Sequence, residues 1–127
     1  MGLLLLGVGA AVGLGAMVRP QAQEQLERGE RLYAFWCASC HGRGGEGGQQ
    51  VPALAGPSRR YPCRFPDARA LYEWVSRSMP PEDVLRPREY WDILAFLLWW
   101  NGELPRGLVL GPATAPGIPL RACPQRR

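Results

Sequence analysis

The sequence predicts an all-α fold with three main helices, and three observations carry that prediction. Apolar residues recur at spacings of three and four in three separate stretches, Gln21 to Trp36, Ala68 to Ser78 and about Arg88 to Asn101. No run of strand-period alternation is long enough to demand a sheet. The stretches between them are rich in glycine and proline, of which the chain has 16 and 13, and behave as connections rather than elements. With 127 residues and no internal repeat, the chain makes one small domain plus extensions.

Gly2 to Val18 carries no charged side chain. At 1.5 Å per residue it would form a helix of roughly 25 Å, slightly short of the ~30 Å hydrocarbon core of a bilayer. A secretory signal suits that length, yet the segment has no basic n-region, and Gly13, Gly15 and Ala16 make a weak cleavage site. A cleaved signal and a retained membrane anchor through residues 2–18 both stay open. Either delivers the rest of the chain outside the cytoplasm, to the periplasm or the outer face of the cytoplasmic membrane.

The first helix, Gln21 to Trp36, places Leu26, Gly29, Leu32, Tyr33 and Trp36 along one stripe. It runs into Cys37-Ala38-Ser39-Cys40-His41, two thiols at i and i+3 with an imidazole directly after them. That pentapeptide is the attachment signature of a c-type haem. On one helical turn both sulfurs fall on the same face, where each can form a thioether to a haem vinyl group while His41 turns toward the iron. One covalent haem c per chain is expected. A redox-active dithiol is the remaining alternative, but it belongs beside a βαβ pattern, and no second close-set pair of Cys or His exists to complete a zinc site. The glycine-rich run from Gly42 to Gly48 follows no strand and lacks the terminal Lys-Ser/Thr of a phosphate loop; tight chain passage near the porphyrin edge explains it better.

His41 is the only histidine, so the second axial ligand must come from elsewhere. Of the three methionines, Met1 and Met17 flank the apolar leader and Met79 remains. Met79-Pro80-Pro81 is a stiff, extended loop suited to presenting a thioether. Before it, residues 57–66 read as a loop crowded with arginine, and Asp67 caps the helix Ala68 to Ser78, whose Leu71, Trp74, Val75 and Ser78 mark an inward stripe. Trp74 suits a core or haem-packing ring. The last helix is entered through Pro87 and stopped by Asn101-Gly102; Trp91, Leu94, Ala95 and Leu98 form its packing face. Trp99 and Trp100 exceed that face and serve either tail packing or a partner surface. From Glu103 onward the chain reads as an extended tail laid over the surface, pinned by Cys123.

These residues together resemble a class I monohaem cytochrome c: Gly29 and Tyr33 on a first helix, CASCH with a following glycine, Pro52 and Leu54, Met79-Pro80, and Ala95-Phe96-Leu97 on a last helix. The resemblance covers roughly residues 23–102, leaving 1–22 as signal or anchor and 103–127 as the tail. It implies a small cytochrome c fold around a covalently bound haem. It further implies that the Pro52 carbonyl meets the His41 ring, that Leu54 packs on the porphyrin, and that the first and last helices cross at Gly29, Tyr33 and Phe96. The second half, from Met79 to Gly102, is similar to cytochromes that serve periplasmic quinoprotein alcohol dehydrogenases and sulfur-oxidation dehydrogenases.

A Met/His iron is six-coordinate and leaves no open position for substrate, so one-electron transfer is expected rather than catalysis by this chain. The partners expected are redox proteins: a periplasmic dehydrogenase as donor, and a cytochrome oxidase or another cytochrome as acceptor. The net charge of +4 comes with 15 arginines and no lysine, a balance that favours acidic partners. The arginines are dispersed without interleaved aromatic platforms, which argues against nucleic acid. Cys63 and Cys123 are the cysteines beyond the haem pair, and in an oxidising compartment they would form one disulfide. A sulfur-binding or ligand-sensing role for Cys63 or Cys123 is the alternative.

Overall fold

The computed structural model describes residues 19–120 and Gly9. Its elements are α1 (Gln21–Trp36), α2 (Ala38–His41), α3 (Tyr61–Arg64), α4 (Ala68–Ser78), α5 (Pro87–Trp100) and a single 3-10 turn at Ala115–Gly117. No strand occurs among the described residues; Asp67 and Pro119 make one isolated antiparallel bridge.

The central element is α5. Every side chain from Tyr90 to Leu98 is buried, and a helix apolar on all sides must be wrapped on all sides. It begins with Pro87, whose fixed φ suits the first helical position, and Glu89 accepts a 2.8 Å bond from the Arg86 amide as the first turn closes. It ends at Asn101, with Gly102 at φ 70°.

Against α5 lies α1, buried at Gln25, Gly29 and Tyr33. Gly29 sits where the two backbones touch: a Cβ there would overlap the Asp92 carbonyl and come within 2.8 Å of the Phe96 Cβ. One turn on, the Tyr33 ring packs on Phe96 at 5.9 Å and edge-on to Trp100 at 5.5 Å. The crossing is sealed by Arg28, which donates two bonds to Asp92 at 2.8 and 3.2 Å. This pairing raises the Arg28 pKa further above its ordinary value.

On another side, α4 starts at Asp67, whose carboxylate accepts from the Ala70 amide at 2.8 Å, a cap worth about 1 kcal/mol. Tyr72 stacks face to face on Trp91, 3.7 Å apart and within 2° of parallel. Trp74 packs on Phe65 with ring centroids 5.9 Å apart, and the Arg64 guanidinium lies 5.2 Å from its ring.

The segment after Glu103 departs from the expected surface strap. Leu110, Ala115, Ile118 and Leu120 are buried and join Leu94, Ala95 and Leu98 in the main core. They are spaced by glycines and prolines with no period, so the sequence carries no helical or strand signal for them. Main-chain bonds anchor the segment: Ala68 donates to Ile118 at 3.0 Å, and Leu120 donates to Pro66 at 3.0 Å. Gln25 holds it from α1, donating to the Leu110 carbonyl and accepting from the Leu110 amide, both at 2.8 Å. Residues 57–66 likewise contain a helix, α3, where a loop was expected.

No helix among the described residues is long and apolar enough to cross a membrane. The signal-or-anchor segment 2–18, apart from Gly9, and Cys123 lie outside the described residues.

Candidate functional site

The pentapeptide 37–41 hangs from the end of α1. Cys37 closes that helix, its amide donating to Tyr33 at 2.9 Å, and its own carbonyl accepts from His41 at 2.9 Å to form the single turn of α2. Both thiols are free, Cys37 half-buried and Cys40 exposed. Burial, reinforced by Cys40, pushes the Cys37 thiol up to about 11. A redox dithiol needs the reverse, a thiol depressed toward neutrality, so the local environment disfavours the oxidoreductase alternative.

His41 is buried, and its Nδ1 lies 2.9 Å from the Pro52 carbonyl oxygen. A carbonyl can only accept, so Nδ1 carries the proton and Nε2 keeps its lone pair for a metal. The chain returns to make this contact through the glycine-rich run. Gly42 leaves α2 at φ 88°, its carbonyl accepting from the Tyr33 hydroxyl at 2.8 Å. Gly45 is buried at φ 65°, its carbonyl accepting from Leu54 and Ala55 at 2.7 and 3.1 Å; an added Cβ would meet Ala55 at 2.7 Å. Left-handed backbone in so narrow a space admits glycine alone.

Leu54 packs against the main core, and its carbonyl accepts from Asn101 Nδ2 at 2.9 Å. The same Asn101 amide donates to Tyr61 at 3.2 Å. Tyr61 in turn donates to Glu103, which also pairs with Arg59 at 2.9 Å. Burial and the Glu103 carboxylate drive the Tyr61 pKa far up. The other Glu103 oxygen is buried without a hydrogen-bond partner among the described residues. This network fixes the 54–61 segment to the end of α5. Sequence reasoning took Asn101 only as a helix stop and missed Glu103, since neither spacing nor composition marks a partner 40 residues away.

Met79 directly follows α4 as its C-cap, half-buried and in extended backbone, and the Met79–Pro80 bond is cis. The loop beyond it is drawn back by Leu85, whose amide donates to the Tyr90 hydroxyl at 3.1 Å. Leu85, Tyr90 and Ile93 form a second apolar cluster. Leu32, Trp36 and Cys37 reach it from α1, and Tyr72 and Val75 from α4. The end that carries the thiols and the helix that Met79 follows therefore meet the same apolar cluster.

A covalent haem fits this donor set: two free thiols on one turn, one imidazole nitrogen available, an apolar surround, and a thioether directly after α4. The reading is supported by similarity to known proteins. No curated protein matches the chain. A solved structure, the crystal structure of the sulfane dehydrogenase SoxCD from Paracoccus pantotrophus, matches with a TM-score of 0.61 and 27% identity, over 94% of this chain and 68% of that one. The family model for cytochrome c oxidase, cbb3-type, subunit III matches residues 24–97, from α1 through most of α5. With the Cys37-to-His41 turn, the buried histidine and the crossed helices in place, this chain belongs to that family and is a monohaem c-type cytochrome carrying covalent haem c.

Proposed function

We propose that the protein transfers single electrons outside the cytoplasm through a haem iron held by His41 and Met79, with Cys37 and Cys40 as the thioether attachments. When bound, the haem supplies a reversible one-electron iron couple. The observation that carries the reading is the His41–Pro52 contact at 2.9 Å, because it fixes the tautomer that leaves Nε2 to ligate. Met79 supports it as a thioether at the mouth of α4, where a soft ligand raises the reduction potential. Leu54 offers the porphyrin an aliphatic face held in place by Asn101. The buried clusters around Leu71, Leu94 and Leu85 exclude water, which further favours the less charged reduced state.

The donor we propose is a periplasmic dehydrogenase, for which likeness to a sulfane dehydrogenase structure is the support. The acceptor is a cytochrome oxidase or another cytochrome, in keeping with a family described by a subunit of a cytochrome c oxidase. The disulfide we propose joins Cys63 to Cys123. It is supported by the fact that the free thiols among the described residues are Cys37 and Cys40. The apolar segment 2–18 serves as export signal or anchor.

Replacement of His41 by Ala should abolish stable haem incorporation. Met79→Ala should retain covalent haem, lose the long-wavelength thioether-to-iron band of the oxidised spectrum, and lower the reduction potential. Persistence of that band in Met79→Ala would remove Met79 from the iron.

A further inference from the structure

The crossing of α1 and α5 leaves an open cleft of about 380 Å³ on the side of Arg28 and Asp92. Four arginines line it: Arg28 and Arg31 from α1, and Arg86 and Arg88 from the start of α5. Its two carboxylates are already engaged. Asp92 is buried and accepts from Nε and Nη2 of Arg28. Glu89 accepts from the Arg86 amide and lies 3.5 Å from the Arg86 guanidinium. Arg31 and Arg88 are exposed and have no hydrogen bond or ion pair among the described residues. Two positive charges thus line one concave surface with no bonded partner among the described residues, and each has donors to spare for a carboxylate.

The cleft also adjoins the apolar cluster that the thiol end of α1 meets. Leu32 lines it and packs against the cluster that includes Cys37 and Trp36. Phe35, one turn beyond Arg31, and Val84, two residues before Arg86, are 74% and 81% exposed. Apolar side chains beside uncompensated cations make a surface that pairs with an acidic protein face: charges steer the encounter, and apolar contact follows.

We propose that this α1/α5 cleft is the docking site for a carboxylate-rich surface of the protein's redox partner, with Arg31 and Arg88 as the groups that grip it. The proposal rests on the electron-transfer reading above. Charge complementarity selects the occupant: acidic side chains on a polypeptide supply several carboxylates at spacings that can satisfy both arginines at once.

The test uses the haem-loaded protein, ¹⁵N-labelled and reduced, with poly-L-glutamate as probe. Amide shifts should concentrate in residues 28–36 and 84–92, and the affinity should fall as salt is raised. R31E/R88E should weaken binding more than tenfold. R60E/R106E, which changes net charge equally at exposed sites elsewhere, should weaken it less than threefold. R31Q/R88Q removes the grip without charge reversal and gives the same ordering if the reversed variant loses its haem spectrum. Equal losses in the two charge-reversed pairs, or shifts scattered over the surface, would overturn the cleft as a site. Sulfate producing the same shifts to saturation and displacing the polymer at matched ionic strength would make it a small-oxyanion site, and would also overturn the proposal. Failure of the electron-transfer reading is separately visible, as absence of a reversible haem couple in the unmodified protein.

Discussion

Gln25→Ala should remove the tie between α1 and the C-terminal segment. Gln25 is 3% exposed, Leu110 is 2% exposed, and both bonds between them measure 2.8 Å. Alanine leaves a buried amide and a buried carbonyl of Leu110 unpaired, each costing about 1–3 kcal/mol. Better helix propensity returns only a few tenths of a kcal/mol, and water entering the space recovers part of the loss. A net destabilisation of about 2–4 kcal/mol follows. In guanidinium titrations of the haem-loaded protein, followed by far-UV circular dichroism, this is a midpoint shift of roughly 1 M for a chain of this size. Gln25→Glu makes the geometry visible. A carboxylate can accept from the Leu110 amide but opposes its carbonyl, whereas the protonated acid restores both bonds. The variant's folded pKa is therefore raised above the ordinary glutamate value of ~4.3. The sign follows: its stability is fully present below that value and is lost as pH rises through the higher folded pKa. A loss below about 0.5 kcal/mol for Gln25→Ala, or a Gln25→Glu variant indifferent to pH, would refute the clamp.

Three further outcomes can be checked directly. Tyr33, raised from 10.0 to about 12 chiefly by burial, should stay neutral in the folded protein until pH is well above 10; its stabilising effect is present below about 10 and lost as pH rises toward 12, and Tyr33→Phe should lack that alkaline step in phenolate absorbance and unfolding. Gly29→Ala should lower stability by more than the ~1–3 kcal/mol of ordinary overpacking, since the added carbon meets backbone that cannot rotate away; a thermal midpoint within 3 °C of the parent would contradict the close crossing. Alkylation of the oxidised, folded protein should label neither Cys63 nor Cys123, and both should label after reduction in denaturant; one thiol reacting before reduction would favour a sulfur-binding role instead.

The three long helices were legible because each carries redundant local signals. Asp67 caps α4, Pro87 opens α5, Asn101-Gly102 closes it, and stripes at helical spacing join these ends. The turn at Cys37 to His41, proposed as the haem attachment, stands out in the sequence for another reason: thioether chemistry dictates residue type and spacing together. What stayed hidden depends on partners remote in sequence. Gln25 on α1 looks like any solvated glutamine until Leu110 arrives 85 residues later. Glu103 and Arg59 look like surface charges, yet their side chains are 0% and 17% exposed. α3 was hidden by Pro62, which suits the start of a helix as well as a loop. Of the two surplus tryptophans, Trp100 is occupied by Tyr33 and Phe96, while Trp99 remains 53% exposed.

The burial of Leu110, Ala115, Ile118 and Leu120 bears on where a minimal fragment can be cut. The family match stops at residue 97, and every side chain proposed to attach or ligate the haem lies before Gly102. A truncation there would keep the full chemistry and strip four apolar side chains from the faces of α4 and α5, exposing Ala68, Leu94 and Leu98 to water. At about 1.5–3 kcal/mol for each large aliphatic side chain buried, that loss is comparable to the whole stability of a small domain. Expression trials guided by motif boundaries alone would yield a haem-competent sequence that aggregates, and trials extended through Cys123 would keep both these side chains and the proposed partner of Cys63.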